Sequence, residues 1–340
     1  MDDHLKDLTI IILSHGREWI LSKTLDFWDA NSIKTVVVHN SEIGINRNSD
    51  VNGSVYLTSC SSYAVRAGIA ATHIATNFAI ICNDDELYIP SALEKMILKL
   101  NENIEFTSVG GQSLAVSKYG AMITGTLCYK DMLQYENLYD KPIDRLEHHL
   151  DSSKNYIGAM FRMLRAATMI DLLTSIKYSD EISTPYIHEA TSEILITIYG
   201  KSQYISEIYW IRNWQEPEVQ HKNWDRKLYF HLWWEGIEFS EQRAKWITIL
   251  VKFSSGLMEM KDFGAILEKN YKLRKVKELH EQENRKKGVR IVPTDLKYLL
   301  KKFFLHKKLP SPLENELAHA ISLGIGIDKK EIEKIIKILI

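Results

Sequence analysis

Four short apolar runs within the first 82 residues decide what this chain can fold into. Each contains β-branched residues, and stretches with apolar residues at helical spacing lie between several of them. The runs are LTIIIL (8–13), KTVVVHN (34–40), SVYLT (54–58) and NFAIIC (77–82). Short strands that are apolar on both faces and separated by helices are typical of a parallel sheet covered on both sides. We therefore expect an α/β fold with a mostly parallel sheet flanked by helices.

The chain changes character at about residue 216. Before that point, strand-like runs continue at 106–117 and 121–129, and a helical pattern covers 187–200. After it, strand-like runs stop and the pattern becomes helical, with many lysine, arginine and glutamate residues. We predict a sheet-containing domain over residues 1–215 and a mainly helical C-terminal domain over residues 216–340.

The overall composition argues against several classes of protein. The chain has 340 residues, 45% of them hydrophobic, which is enough for a sizeable core, and its net charge of -1 gives no support for nucleic-acid binding. Three widely spaced cysteines without a CxxC pair favour neither a disulfide framework nor a zinc ribbon. The first apolar run is too short for a signal peptide or a membrane span, and no later run reaches about 18 apolar residues. These features predict a cytoplasmic protein.

Three consecutive acidic residues follow the fourth apolar run. Asn83 is followed by Asp84, Asp85 and Glu86, and such clustered carboxylates repel one another unless they are solvated or bind something positive. Ligands of α/β sheets bind outside the carboxyl ends of the strands, where this cluster stands. Oxygen ligands suit Mg²⁺ or Mn²⁺, which take one or two carboxylates together with waters and substrate phosphates. The alternative is a solvated turn that favours the start of a helix at Pro90.

Four segments, in this order, resemble the family 2 glycosyltransferases of the nucleotide-diphosphosugar transferase (GT-A) fold, and among them the bacterial surface-polysaccharide group. They match the first strand and helix, the second strand near the nucleotide base, the acidic DxD region, and the helix that carries the catalytic base of inverting members. The segments are LTIIILSHGREWILSKTLDFW, KTVVVHNSE, SSYAVRAGIAATHIATNFAIICNDDELYIP and HEATSEILITIYGKSQYI. The resemblance implies transfer of a sugar from a nucleotide-sugar donor to a hydroxyl of a glycan or lipid-linked glycan acceptor, in the synthesis of a surface polysaccharide such as O-antigen or capsule.

The resemblance also implies roles for individual residues. Glu189 is the candidate general base of an inverting enzyme, with Glu193, one helical turn on, as the reserve. In an enzyme that retains the anomeric configuration of the sugar, neither glutamate would have the role of general base. Asp85 and Glu86 are the implied ligands of Mg²⁺ or Mn²⁺. The implied donor-binding residues are Ser14, Arg17, His39, Asn40, Arg66, Asn83, Asp84, Gly158 and Arg162.

The acidic motif fits the family in two registers. Counted back from the proline, Asn83 and Asp85 take the two positions of the DxD motif. Aligned with the DDD of the surface-polysaccharide group, Asp84 and Glu86 take them. We favour Asp85 as the metal ligand, with Asp84 at the ribose or the diphosphate.

Other positions leave alternatives open. His39 and Asn40 replace the acidic residue that usually contacts the base, so the nucleotide is not specified. Surface salt bridges are the alternative for Arg17 and Arg66, and an amphipathic helix is the alternative for 156–165. Two other functions compete: a nucleotidyltransferase, which usually has a Gly-rich loop absent from LSHGRE, and a non-catalytic nucleotide- or glycan-binding module, which the loss of an acidic residue at Asn83 would suit.

Two helices are predicted near the C-terminus. The pattern over 295–308 is basic and amphipathic, and such a helix can contact anionic lipids at the inner face of a membrane. A solvated helix packed on the second domain explains the same pattern. The last helix is predicted to begin at Asp328, with Glu331 completing a capping box.

Overall fold

One sheet forms the centre of the protein in the computed structural model. The structure describes residues 4–42, 51–119, 122–129, 135–150, 159–182, 187–214, 230–270, 275 and 311–340. The nine strands are β1 (Leu8–Ile12), β2 (Lys34–His39), β3 (Val55–Thr58), β4 (Phe78–Cys82), β5 (Glu86–Tyr88), β6 (Phe106–Tyr119), β7 (Met122–Cys128), β8 (Met163–Arg165) and β9 (Lys201–Asn213). Their order across the sheet is β3-β2-β1-β4-β8-β6-β9-β5, and β7 pairs with β6.

Helices connect the strands and cover the sheet. They are α1 (Glu18–Ala30), α2 (Tyr63–Ala71), α3 (Pro90–Glu102), α4 (Pro142–His149), α5 (Ala166–Tyr178), α6 (Ile187–Tyr199), α7 (Phe230–Glu235), α8 (Ser240–Phe253), α9 (260–270), α10 (Leu313–Ser322) and α11 (Lys329–Leu339). After β9 the described residues form helices and add no further strand to the sheet. The predicted α/β class with a helical C-terminal region is confirmed.

The first four strands are parallel, as predicted, and this arrangement positions the site. β1 pairs with β2 and β4, and β2 pairs with β3. Ile12 lies opposite both Val37 and Cys82, so these strands end close to one level. The residues that follow β1, β2 and β4 therefore gather at one edge of the sheet.

The other strands make the sheet mixed and curl it. β8 runs antiparallel to β4 and β6, β5 runs antiparallel to β9, and β6 and β9 are parallel. Only residues 83–85 join β4 to β5, although three other strands separate the two in the sheet. Tyr88 in β5 donates from its hydroxyl to the carbonyl of Ile81 in β4, at 2.5 Å. The sheet therefore curls back, and the acidic segment bridges the gap between its parallel half and its far edge.

Alternate side chains of the central strands build a core on each face. In β1, Ile10 and Ile12 pack with α1 and α3, whereas Ile11 packs on the other face with α2 and α5. All three side chains are fully buried. The predicted covering of the sheet by helices on both faces is confirmed.

The helices after β9 pack against the earlier part of the chain. α10 and α11 add Leu317 and Ile332 to the core beneath α1 and α3. α8 adds Trp246 to a third core that includes Leu195 of α6. The predicted domain boundary at 215–216 lies outside the described residues.

Helix ends follow local sequence signals in part. Pro90 occupies the start of α3, and the Asp328 side chain accepts a hydrogen bond from the Glu331 backbone N at 3.0 Å, as predicted. The predicted capping box is wrong, because the Glu331 carboxylate instead accepts a hydrogen bond from Ser91. The alternative of an amphipathic helix over 156–165 is also wrong for the described part of that segment. There a short 3₁₀ turn leads into β8.

The predicted amphipathic helix at 295–308 lies outside the described residues. Within the residues that are described, none of the helices combines the length and the apolar character that crossing a membrane requires. Membrane contact through 295–308 stays a prediction.

Candidate functional site

Three strand ends meet in a polar corner beyond the carboxyl edge of β1, β2 and β4. The Ser14 hydroxyl, after β1, donates to Oδ2 of Asp84, after β4, at 2.7 Å. The Asn40 backbone N, after β2, donates to the Ser14 carbonyl at 3.0 Å. Thr24 of α1 donates from its hydroxyl to the Asp84 carbonyl at 2.7 Å. The structure thus brings together three of the predicted donor-binding residues.

Arg17 holds the first two carboxylates of the acidic cluster. One guanidinium nitrogen, Nη2, forms an ion pair with Oδ1 of Asp84, and the other, Nη1, forms one with Oδ2 of Asp85. The cation between the two carboxylates offsets their mutual repulsion. The Arg17 side chain is 27% exposed and that of Asp85 is 17% exposed, against 1% for Asp84. Arg17 and Asp85 therefore form the solvent-accessible rim of the corner, and Asp84 forms its floor.

The acidic cluster is not a solvated turn. Asp84 and Glu86 are 2% and 5% exposed, and the start of α3 receives no side-chain hydrogen bond from a cap residue. Burial raises the pKa of the Asp85 carboxyl, and the nearby Arg17 acts in the opposite direction. The helix-capping alternative for the cluster is therefore wrong, and buried carboxylates at a strand end require a different explanation.

Arg66 brings a second guanidinium to the corner. It lies on α2, is 5% exposed, and donates from Nη1 to the Ser14 carbonyl. Its Nε has no hydrogen-bond partner among the described residues. Burial lowers the pKa of Arg66, while Tyr63 and Asp84 act in the opposite direction. The surface salt-bridge alternative does not describe this buried side chain.

The carboxylates fit a divalent cation only as part of a larger ligand set. Within the described ranges, no group of three or more His, Cys, Asp or Glu side chains is arranged to hold a metal ion. Mg²⁺ characteristically uses one or two protein carboxylates and completes its shell with waters and substrate phosphates. Asp84 and Asp85 supply that number of carboxylates, with Asp85 the more accessible. These residues fit an ion that binds together with a phosphate-bearing ligand.

Glu86 is directed into the sheet, unlike its two acidic neighbours. Its Oε2 accepts hydrogen bonds from Asn83 Nδ2 at 2.9 Å and Trp210 Nε1 at 3.0 Å, and its Oε1 accepts one from Arg212 Nε at 2.9 Å. Burial raises the pKa of the Glu86 carboxyl, although Arg212 acts in the opposite direction. This arrangement ties β5 to β9 and favours Asp85 over Glu86 as a metal ligand. It also gives Asn83 a structural partner.

The end of β2 carries a second polar group. His39 is 1% exposed, and its Nε2 lies 3.1 Å from Oε1 of Glu18 at the start of α1. Asn40 Nδ2 lies 2.6 Å from Nδ1 of His15 in the exposed first loop. The Glu18 pKa is lowered by a backbone hydrogen bond and by His39. Asn40, His15 and the exposed carboxylate of Glu18 are thus accessible polar groups on this side of the corner.

The two candidate bases on α6 have different surroundings. Glu189 is exposed in the first turn of the helix, and its charge acts on Tyr63 at the start of α2. Burial, followed by Glu189, raises the pKa of Tyr63 to about 12. The Tyr63 ring also stacks on His188, with ring centroids 5.6 Å apart. These contacts place the start of α6 beside α2, the helix that carries Arg66.

Glu193, one turn later, belongs to a buried polar network. It forms an ion pair with Nε2 of His149, whose Nδ1 lies 2.9 Å from the hydroxyl of Tyr135. The Arg162 guanidinium lies 4.3 Å from the centre of the Tyr135 ring and is 1% exposed. The buried position of Arg162 separates it from the open rim of the corner.

The other predicted residue of this segment, Gly158, lies outside the described residues. Sequence reasoning did not identify Tyr135 or His149. The pair His148 and His149 on α4 was the available signal, since only one of two adjacent helical residues faces inward. Here His149 is the buried one.

Tyr135 is expected to ionise unusually early. Burial by itself would raise its pKa, but His149 and Arg162 lower it to about 8. The folded protein therefore favours tyrosinate more than the unfolded chain does, and the contribution of this group to stability rises between about pH 8 and pH 10. An ultraviolet absorbance titration should show one tyrosinate forming near pH 8, and Tyr135→Phe should remove it. A titration without that early component, or one unchanged in the variant, contradicts the network.

Comparison with known proteins gives distant structural likenesses. No protein-family model and no curated protein matches the chain. Similar solved structures include S. aureus TarS 1-349, with a TM-score of 0.45 and 12% identity. The same protein in complex with UDP gives 0.42 and 10%, and in complex with UDP-GlcNAc it gives 0.41 and 11%. Each alignment covers 82% of this chain and 92% of the other. TM-scores below 0.5 do not establish a shared fold, and the architecture above follows from the chain's own strands and helices.

Proposed function

We propose that this protein is a GT-A glycosyltransferase that moves a sugar from a nucleotide-sugar donor to a hydroxyl of an acceptor glycan in the synthesis of a bacterial surface polysaccharide. The observation that carries the proposal is the buried carboxylate of Asp84 at the carboxyl edge of three parallel strands, bonded to Ser14 and flanked by Asp85 and Arg17. Folds of this kind bind nucleotides outside the carboxyl edge of the sheet, at the point where the strand order reverses. The family resemblance of the sequence supports the same conclusion.

The charge of the corner supports a donor diphosphate bound together with a cation. The guanidinium groups of Arg17 and Arg66 balance the carboxylates of Asp84 and Asp85. A diphosphate brings negative charge that this balanced set does not offset. We propose that Asp85, assisted by Asp84, holds Mg²⁺ or Mn²⁺ beside the donor. When bound, the ion would stabilise the negative charge that develops on the departing diphosphate.

The protein's own side chains have separate tasks in this mechanism. Arg17, on the rim, is placed to move from the carboxylates to the donor phosphates, where a guanidinium can bind two oxygens. His15 and Asn40 lie on the side of the corner assigned to the nucleotide base. Glu189 accepts the proton of the acceptor hydroxyl as its oxygen bonds to the anomeric carbon and the bond from that carbon to the diphosphate breaks. Glu193 is paired with His149, and this contact holds α4 against α6.

Incubation with labelled nucleotide sugars tests the proposal. We expect slow release of nucleoside diphosphate from one member of a panel of UDP- and GDP-sugars, faster with Mn²⁺ than with chelator. Condensation of a nucleoside triphosphate with a sugar phosphate would instead identify a nucleotidyltransferase. Nucleotide binding without turnover of any donor would identify a binding module. Either result overturns the assignment of this protein as a glycosyltransferase.

A further inference from the structure

A cavity of about 440 Å³ lies between α4 and α9, away from the polar corner. Its polar and aromatic lining comes from Tyr139, Asp144, Glu147, His148, Lys269 and Asn270. The volume falls within the range of pockets that bind small ligands. None of these residues has a role in the mechanism described above.

The lining has the chemistry of a site for a saccharide. The Tyr139 side chain is 50% exposed and lies beside His148, with ring centroids 5.3 Å apart, so an aromatic face is open to a ligand. The Asp144 carboxylate has no hydrogen bond or ion pair with the other described residues. Asn270 uses its amide N to hold the Leu150 carbonyl at 2.7 Å, which leaves the amide oxygen as an acceptor. Flat apolar surface beside hydrogen-bond acceptors suits the alternating C–H and O–H groups of a sugar ring.

The charge of the cavity selects among saccharides. Lys269 Nζ donates to Oε1 of Glu147 at 3.0 Å, so this pair is internally balanced. The carboxylate of Asp144 then leaves the described lining with an excess of negative charge. An anionic glycan or a phosphate would be repelled, whereas a neutral sugar would not.

The cavity lies beside α6, the helix that carries the candidate base. α4, which lines the cavity, packs against α6, and the crevice between the cavity and Glu193 holds only about 10 Å³, too little for a sugar. Glu189 is exposed one turn before Glu193, about 6 Å along the helix axis. A glycan longer than the cavity would therefore reach Glu189 over the outer surface beside α6.

We propose that this cavity binds an internal unit of a neutral acceptor glycan, whose terminal hydroxyl is presented at the start of α6. The inference rests on the proposed function and specifies its acceptor as an uncharged oligosaccharide of several units. It assigns Tyr139 to stacking on a sugar ring and Asp144 to accepting hydrogen bonds from its hydroxyls.

A glycan array carrying neutral, sialylated and sulfated oligosaccharides tests the cavity directly, with the full chain as the analyte. We expect binding to neutral glycans, weaker by about tenfold in Tyr139→Ala and by a few-fold in Asp144→Asn, as expected for loss of a central aromatic contact and of one hydrogen bond. The matched control is Leu138→Ala, because Leu138 is also exposed and adjacent but does not line the cavity. Nucleotide binding, measured in parallel, should persist in all three variants and report that they are folded.

Three results would overturn the inference: no binding to any glycan, preferential binding to anionic glycans, or equal binding by Tyr139→Ala and the wild type. The proposed function fails separately. If neutral glycans bind through Tyr139 but no nucleotide sugar is turned over, the cavity is a glycan site and the transferase assignment is wrong. If a nucleotide sugar is turned over but Tyr139→Ala binds glycans normally, the transferase stands and the cavity assignment is wrong.

Discussion

Replacing Glu189 by glutamine should slow sugar transfer by a factor of about 10²–10⁴, the usual contribution of a positioned general base. Glu189 is exposed in the first turn of α6, and its charge acts on Tyr63 at the start of α2, the helix that brings Arg66 to the corner. Glutamine keeps the size of the side chain but cannot accept the proton. Donor affinity should change little, because Asp84, Asp85 and Arg17 remain in place. The measurement is kcat with saturating donor, alongside the donor Kd.

Glu193→Gln is the matched control for this prediction. It lies on the same helix, one turn on, but its carboxylate is bound to His149 in the buried network. We expect its main effects on thermal stability and on the ionisation of Tyr135, because the His149 charge loses its partner. If Glu193→Gln abolished transfer at full stability while Glu189→Gln remained active, the assignment of the base would be reversed. If neither variant affected the chemical step, the general-base mechanism itself would be wrong.

Replacing Glu86 by alanine should lower the free energy of unfolding by about 3–5 kcal/mol, the usual cost of removing one partner from a buried ion pair. The change leaves Arg212 without its carboxylate and leaves Trp210 Nε1 and Asn83 Nδ2 without an acceptor. It also releases β5 from side-chain contacts to β9. The measurement is the urea midpoint and slope of the variant and the wild type.

Asp85→Ala provides the comparison for Glu86→Ala. Asp85 is partly exposed, and its partner Arg17 keeps a second carboxylate, that of Asp84. Its loss should therefore reduce stability by much less than the loss of Glu86. Equal destabilisation by the two variants would contradict the division of the cluster into a functional pair and a structural residue.

The parallel half of the sheet could be predicted because its sequence signal is local. Strands such as 8–12 and 78–82 are almost entirely apolar and are buried at every position, and only a sheet covered on both faces accommodates them. The position of the acidic cluster at a strand end followed directly, because residues 84–86 come just after the strand 78–82. The short strands β5 and β8, each three residues long, carry no comparable periodicity and were missed.

The partners of the acidic residues could not be predicted, because they are distant in sequence. Asp84 and Asp85 pair with Arg17, whereas the next residue, Glu86, pairs with Arg212, 126 positions away. The reason is the curl of the sheet, which brings β9 next to β5. The same applies to Glu189 and Glu193. Their helical spacing was clear from the sequence, but His149, which gives Glu193 a different environment, comes from α4.

The central claim is that the corner of Asp84, Asp85 and Arg17 binds the diphosphate of a nucleotide together with a divalent cation. Calorimetric titration of the wild type and of Asp85→Asn with UDP, GDP and CDP, each with and without Mn²⁺, tests it most directly. The account predicts that one nucleotide binds the wild type more tightly with Mn²⁺ and that Asp85→Asn loses this metal dependence. Failure of every nucleotide to bind, or metal-dependent binding that is equal in the variant, would contradict it.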